Sequence, residues 1–287
     1  MTGTCRREGD TRCPPDDHRT DSDDARRAEA PGVAAVALLA ALVAPLAELL
    51  SAATRVTVLT GAGVSAASGV PTFRGAGGLW KQHRPESLTT AEAFARDPAL
   101  AWEWYAWRRS TIAACRPNRA HEVISGWSRH YADFTLITQN VDGLHEAAGT
   151  RRVVRMHGSL WELQCSDRCA AAPARWEDRR ADFVELPPRC PHCDGLVRPG
   201  VVWFGESLDT EVMKQCEAAL DCDLFLTIGT SSVVYPAASL APEAKRRGAY
   251  TVEINPEAPP ASATLDLAIQ APAEVALDAL DRSARAS

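Results

Sequence analysis

The sequence predicts an α/β protein built on a parallel sheet with helices on both faces. Three observations carry this. Short apolar, β-branched runs alternate with longer amphipathic segments along the chain. That alternation is the signature of crossover-connected parallel strands. Polar or glycine clusters then fall at the carboxyl ends of several runs, at Gly61, Gln139, His157, Gly229 and Asn255, the edge where open α/β sheets bind ligands.

The chain has 287 residues, enough for one large domain or two small ones, and 46% hydrophobic with 24% charged residues describes a soluble globular protein. A net charge of -6 argues against a nucleic-acid-binding surface. Met1 to Ala30 is polar and poor in large apolar residues and is expected to be a disordered tail, leaving 31–287 as the folded domain. The uncharged run Val33 to Ala47 is too short and too alanine-rich to span a bilayer, is interrupted by Pro45, and lies too far along for a secretory signal. It reads as a helix packed on the core and extending through Leu50. Of the nine cysteines, four lie in two close pairs and the rest are scattered, which suits a reducing compartment and one metal site. A cytoplasmic, membrane-free monomer is the expectation.

Val56–Leu59 reads as a buried strand. It breaks at Gly61-Ala62-Gly63, and Ser65 to Ser68 suit the start of a helix, whose free N–H groups attract phosphate. The pattern departs from G-x-G-x-x-G because Ala66 takes the third glycine position, and a tight strand-to-helix turn without a ligand needs similar residues. Phe73, Arg74 and Gly75-Ala76-Gly77-Gly78 then form a loop carrying one aromatic and one cation. Helices are expected from Ala91, restarting at Asp97-Pro98 through Arg109, and over Arg119 to His130. This loop and the helical insertion that follows it are expected over 72–118.

Asp133–Thr138 reads as a strand ending in Gln139-Asn140-Val141-Asp142, whose amides and carboxylate suit sugar hydroxyls or a carboxamide; a polar Asx turn is the alternative. Val153–Met156 is a further strand ending at His157, an imidazole suited to taking a proton from a hydroxyl, although a lone histidine there is also compatible with a structural role. Cys165, Cys169, Cys190 and Cys193 have the arrangement of a closed four-thiolate zinc site, with His192 as an alternative donor, inside a module over 159–200. Val201–Glu206 is strand-like, Leu208–Leu220 helical, Asp223–Ile228 a buried strand, and Ala237–Arg247 a helix stopped by Gly248. Tyr250–Ile254 and Leu265–Ile269 complete the strands, and Ala273–Ala284 the helices. With the glycine turn after the first strand, the sheet is Rossmann-like.

The motifs GAGVSAASGVPTFRG, TQNVD, HGS, the two cysteine pairs, GTSSVVYPAA and INP occur in the order found in sirtuins, NAD-dependent protein-lysine deacylases, and this resemblance covers roughly Leu46 to Leu280. It implies NAD as cofactor, one structural zinc and acyl-lysine proteins or peptides as partners. By resemblance, Gly61, Ala62 and Gly63 cradle the diphosphate, and Phe73 and Arg74 sit on the cofactor loop. Gln139, Asn140 and Asp142 serve the ribose and nicotinamide pocket, with Asn140 also in the catalytic set. Gly229, Thr230 and Ser231, with Asn255, Pro256 and Glu257, hold the adenosine side, Ala273 is a late contact, and Ser65, Trp80 and Val141 complete the cofactor set. Trp80, Trp102, Trp104 and Trp107 are read as core or structural rather than catalytic. His157 is the implied general base. Val202, Phe204, Gly205 and Glu206 border the acyl-lysine channel.

FRGAGGLW and LVRPGVVWFGE resemble class III sirtuins, which often carry Tyr-x-x-Arg in the acyl pocket, here Tyr105 and Arg108. Residues three apart share a helix face, and a phenol with a guanidinium grips a carboxylate. The pair suggests succinyl-, malonyl- or glutaryl-lysine, with Thr89 as a departure that reshapes the pocket. A surface helix with a packed tyrosine and a solvated arginine is the competing expectation. A deacetylase without acidic preference, an ADP-ribosyltransferase or NAD hydrolase on the same site, and a silent NAD sensor are the alternative functions.

Overall fold

The computed structural model describes residues 33–73, 88–257 and 259–286. The expected tail, Arg74 and Trp80 lie outside those residues. Six strands form one sheet: β1 (Arg55–Thr60), β2 (Asp133–Thr138), β3 (Val153–Arg155), β7 (Leu224–Ile228), β8 (Tyr250–Ile254) and β9 (Leu267–Ile269). Their order is β3-β2-β1-β7-β8-β9, and every neighbouring pair is parallel. The chain winds outward from β1 in one direction, then returns to β1 and winds outward in the other. The reversal lies between β1 and β7, the topological switch point where such sheets open a crevice.

Side-chain alternation explains why both faces are covered. Val56, Val58, Leu136, Leu226 and Ile254 point to one face. There they meet α1 (Val33–Ala52), α4 (Arg119–His130) and α8 (Ala273–Ala286) through Leu46, Ile124 and Leu277. Leu59, Ile137 and Phe225 point to the other face, against Cys216 of α6 (Thr210–Ala218) and Leu240 and Ala244 of α7 (Ala237–Arg246). The apolar N-terminal run is thus a core helix, α1, with Val43, Leu46 and Leu50 buried. Among the described residues no helix is long and apolar enough to cross a membrane.

A second layer stands beyond the carboxyl edge. α2 (Ala91–Arg96) is capped by Thr90 Oγ1, which accepts from Ala93 N at 3.1 Å. α3 (Pro98–Ala113) is capped by Asp97, with Pro98 in its first turn, where a missing N–H costs nothing. These helices pack on an antiparallel sheet of β4 (Gly158–Cys165), β5 (Trp176–Glu177) and β6 (Val197–Val201), in the order β5-β4-β6. Pro199 is tolerated because β6 is an edge strand.

Arg109 locks the two parts together. Its side chain is fully buried, donates to Leu160 O, Arg180 O, Asp178 O and the Asp178 carboxylate at 2.7 to 3.0 Å, and lies over the rings of Trp161 and Phe183.

Two expected elements change. Only Val201 of the run Val201–Glu206 belongs to a strand. Val202 N bonds His157 O and Phe204 N bonds Thr89 O, so the segment is extended but bridges two elements instead of joining a ladder. The turn after β1 is a 3-10 helix, Ala62–Ser68, closed by Gly69 in the left-handed region (φ 87).

Candidate active site

The strand ends open onto a cleft of about 1180 Å³ at the switch point, larger than an ordinary small-ligand pocket. Its floor depends on two turns in direct contact. Gly61 N donates to Ile228 O at 3.1 Å and Gly63 N to Gly229 O at 2.8 Å. A Cβ on Gly63 would stand 2.8 Å from Gly229 Cα, and one on Gly61 would stand 2.8 Å from Gly229 O. Gly229 itself has φ 62. These glycines are needed because the β1 turn presses on the β7 turn. Ala62, Thr230 and Ser231 line the cleft with them, and Asn255, Pro256, Glu257 and Ala273 form the wall beyond β8. Asn255 Nδ2 donates to Thr230 O at 2.7 Å, tying that wall to the floor.

On the β2 side Gln139, Asn140 and Val141 line the cleft. Gln139 Nε2 bonds Thr230 Oγ1 at 2.9 Å. Asn140 Nδ2 bonds Gly61 O at 3.0 Å and Ser65 Oγ at 3.3 Å. That orientation leaves its side-chain carbonyl oxygen without a protein partner among the described residues. His157, half-buried after β3, reaches the same space. Its Nδ1 lies 3.2 Å from Gln139 O. A carbonyl can only accept, so the ring proton sits on Nδ1 and Nε2 keeps its lone pair. Burial holds the His157 pKa below its ordinary value, the hydrogen bond to Gln139 opposing this in part, so the ring is neutral at pH 7.

Ser65 and Asp142 do not line the cleft. The 3-10 turn carries Ser65 inward, where its Oγ donates to Asp142 at 2.8 Å. Asp142 also accepts from Leu144 N at 2.9 Å, and burial raises its pKa. Behind them lies a layer that the sequence reading missed. His145 Nε2 is 3.0 Å from Thr60 Oγ1, His121 Nε2 is 3.4 Å from Ser65 Oγ, and the two rings are 4.8 Å apart. Burial drives both pKa values down to about 3, so this layer is uncharged scaffolding. No periodicity signals it, because it is assembled from two separate helices, α4 and the short α5 (Leu144–Ala147).

The insertion supplies the opposite wall with Phe73, Thr89, Trp104 and Tyr105, facing Val202, Phe204, Gly205 and Glu206. Arg108 lies one layer back, stacked beneath Phe73 at 4.6 Å and near Trp104 at 5.6 Å. It is buried, not solvated, and its Nη1 has no hydrogen-bond partner among the described residues. Burial lowers its pKa to about 10. The contrast with Arg109, every nitrogen of which has a partner, is complete. Trp104 and Trp203 also line the cleft, and the sequence reading had assigned neither to it.

The four cysteines converge. Sγ atoms of Cys165 and Cys193 are 3.6 Å apart and those of Cys169 and Cys190 3.9 Å, all four lying within 4.8 Å of one another. Zinc–sulfur bonds of about 2.3 Å at tetrahedral angles require sulfurs about 3.8 Å apart, so the cluster fits a structural zinc with no open position. His192 stands outside it, edge-on to Trp176 at 6.4 Å.

The Sir2 family pattern matches residues 61–236. A Pseudomonas aeruginosa protein named NAD-dependent protein deacylase 1 is 50% identical over 219 residues, spanning 73% of this chain and 86% of the relative. An Aquifex aeolicus NAD-dependent protein deacylase is 46% identical over 213 residues, spanning 74% and 87%. The crystal structure of a Sir2 homolog–NAD complex superposes with a TM-score of 0.78 at 41% identity, covering 84% of this chain and 93% of that one. The Rossmann-like sheet, the cysteine-bearing second layer and the cleft between them therefore identify the chain as a member of the Sir2 family.

Proposed function

We propose that the chain is an NAD-dependent protein-lysine deacylase that favours acyl groups ending in a carboxylate, releasing nicotinamide and O-acyl-ADP-ribose. The observation that carries the chemistry is His157: neutral, its Nδ1–H engaged by Gln139 O, with Nε2 basic in the cleft. An imidazole so held takes a proton from a hydroxyl at neutral pH.

The residues present fit NAD. The cleft sits at the switch point, its volume of about 1180 Å³ leaves room for a dinucleotide beside an acyl-lysine, and Asn140 holds out an unpartnered acceptor. Gly61, Ala62 and Gly63 would face the diphosphate, Gly229, Thr230, Ser231, Asn255, Pro256, Glu257 and Ala273 the adenosine half, and Gln139, Asn140 and Val141 the nicotinamide-bearing ribose. When bound, NAD supplies a ribose carbon activated by a departing nicotinamide. Phe73 covers that end and excludes water. Ser65 and Asp142 act from behind, by holding Asn140 and the 139–142 turn. Val202 to Glu206 offers the extended backbone along which a peptide can add as a strand. The four cysteines would hold a structural zinc that takes no part in the chemistry.

The acyl preference rests on two unspent donors. Among the described residues the Tyr105 hydroxyl proton has no acceptor, and Arg108 Nη1 is buried with no partner. An anion at the end of the acyl chain would satisfy both. The deciding experiment is a mass-spectrometric assay of one peptide carrying acetyl-, malonyl-, succinyl- or glutaryl-lysine, with NAD. Removal of the acidic groups ahead of acetyl is expected, weakened by Arg108→Met. Acetyl removal alone, indifferent to that change, refutes the preference. Nicotinamide release at a comparable rate without any acyl peptide refutes deacylation in favour of NAD hydrolysis.

A further inference from the structure

We infer that Trp203 is a positioning residue for acyl selection: its indole N–H occupies the Tyr105 oxygen and commits the phenol proton to a carboxylate on the acyl chain. The inference rests on the acidic-acyl reading and deepens it.

Trp203 Nε1 lies 2.7 Å from Tyr105 Oη, and both side chains are buried. Indole N–H is a donor and nothing else, so in this bond the phenol accepts. A phenol oxygen has one proton, held near the ring plane on one side or the other. With the indole N–H on one side, the proton is turned to the other. No acceptor meets it there among the described residues, and Tyr105 lines the cleft. Burial lifts the phenol pKa to about 12, so the proton is present across the neutral range. Arg108, one helical turn along the same face, carries the other unpartnered donor. Tyr105 thus turns a donor to the cleft with the Arg108 guanidinium one layer behind it, a pair that suits a carboxylate and offers an acetyl methyl nothing.

Trp203 is itself immobilised. Arg198 stacks on its ring at 3.3 Å, and the Phe94 ring lies 5.1 Å away on the α2 side. Glu206 accepts from the Trp203 backbone N–H at 2.8 Å and from Arg198 through both carboxylate oxygens. The indole cannot swing off the phenol without breaking that set. The same segment, through Val202 and Phe204, borders the acyl-lysine channel. The residue that orients the acyl grip is therefore built into the strip that is proposed to hold the peptide.

The test compares wild type, Trp203→Phe, Tyr105→Phe and the double variant on succinyl- and acetyl-lysine forms of one peptide. In Trp203→Phe the succinyl-to-acetyl ratio of kcat/KM should fall about five- to tenfold, through KM for the succinyl peptide, the scale of a charge-assisted hydrogen bond made weaker. In the Tyr105→Phe background the same change should leave the ratio where it was. A ratio that holds in Trp203→Phe, or an equal fall in both backgrounds, overturns the inference while leaving the acidic preference standing. A wild-type chain with no succinyl preference overturns both. Should Trp203→Phe fail to fold, the wild-type protein decides. With ADP-ribose in place of NAD to prevent turnover, the Trp203 indole N–H resonance should move downfield on adding succinyl peptide and stay put with acetyl peptide, because a phenol that donates to an anion becomes a better acceptor. Equal responses to the two peptides overturn the inference.

Discussion

Replacing Arg108 with Met should make the ligand-free protein more stable while spoiling its grip on acidic acyl groups. The guanidinium is buried against Phe73 and Trp104, and no ion pair to it occurs among the described residues. Its pKa falls from 12.5 to about 10 because burial disfavours the charged form. At about 1.4 kcal/mol per pH unit, that is roughly 3 kcal/mol held against folding. A cation whose folded pKa is depressed carries this penalty at every pH below the folded value; stability is regained only as pH climbs from about 10 towards 12.5. Met matches the aliphatic stem and keeps a polarisable contact with the rings, although about 1 kcal/mol of cation–π attraction is lost. A net gain of about 1–2 kcal/mol remains, or about 3–6 °C in melting temperature for a domain of this size. Differential scanning calorimetry without ligands, between pH 6 and 9, measures it, and the difference between variant and wild type should be constant over that range. The same variant should raise KM for succinyl peptide by about 30-fold or more, the scale of losing a buried charge partner. A melting temperature that falls, or does not move, would refute the reasoning, because the fold itself would then be satisfying the charge.

His157→Ala should lower kcat about 10²- to 10⁴-fold with NAD affinity little changed. In the wild type kcat/KM should be flat from pH 7 upward and fall only below the ordinary histidine value near 6.5, since burial depresses this pKa and activity needs the neutral ring; pH–rate profiles check both. Gly63→Ala should cost more than about 2 kcal/mol in chemical denaturation, because its Cβ would meet Gly229 Cα, backbone that cannot rotate away. Metal removal by a chelator, verified by elemental analysis, should expose the chain between Cys165 and Cys193 to limited proteolysis before the six-stranded sheet is cut. Arg109→Ala should destabilise by about 3–5 kcal/mol, since it removes a buried guanidinium from the Leu160, Asp178 and Arg180 carbonyl oxygens and takes from Asp178 one of its two arginine partners; thermal melts read this directly.

The strands of the main sheet were legible because each is a short β-branched run that ends in a polar turn, and burial on both faces leaves such runs few alternatives. Their spatial order was not, since nothing local to β7 says that it pairs with β1. Val201–Glu206 misled because alternation marks an extended, half-buried segment, and extended backbone can bond to a loop and a neighbouring turn as readily as to a strand. Depth was the other limit. The TQNVD and glycine motifs sit at the cleft, yet Ser65 and Asp142 face inward, a distinction set by the tight 3-10 turn and invisible in residue order. The histidine layer and the Trp203–Tyr105 bond are tertiary pairings between distant segments. The cysteine cluster was the most readable site, because tetrahedral thiolate ligation leaves its spacing in the chain itself.

Arg108 and Arg109 are consecutive, and successive residues on a helix point about 100° apart. On α3 that angle sends Arg108 behind the Phe73 and Trp104 wall of the cleft and Arg109 into the metal-bearing layer. Among the described residues one guanidinium has no hydrogen-bond partner for its buried nitrogen, and the other is fully engaged. The consequence reaches beyond this protein's present chemistry. A lineage can exchange the first arginine and gain stability in doing so, while the second arginine keeps the layers attached. The wall behind the cleft can therefore change at one position without passing through unfolded intermediates.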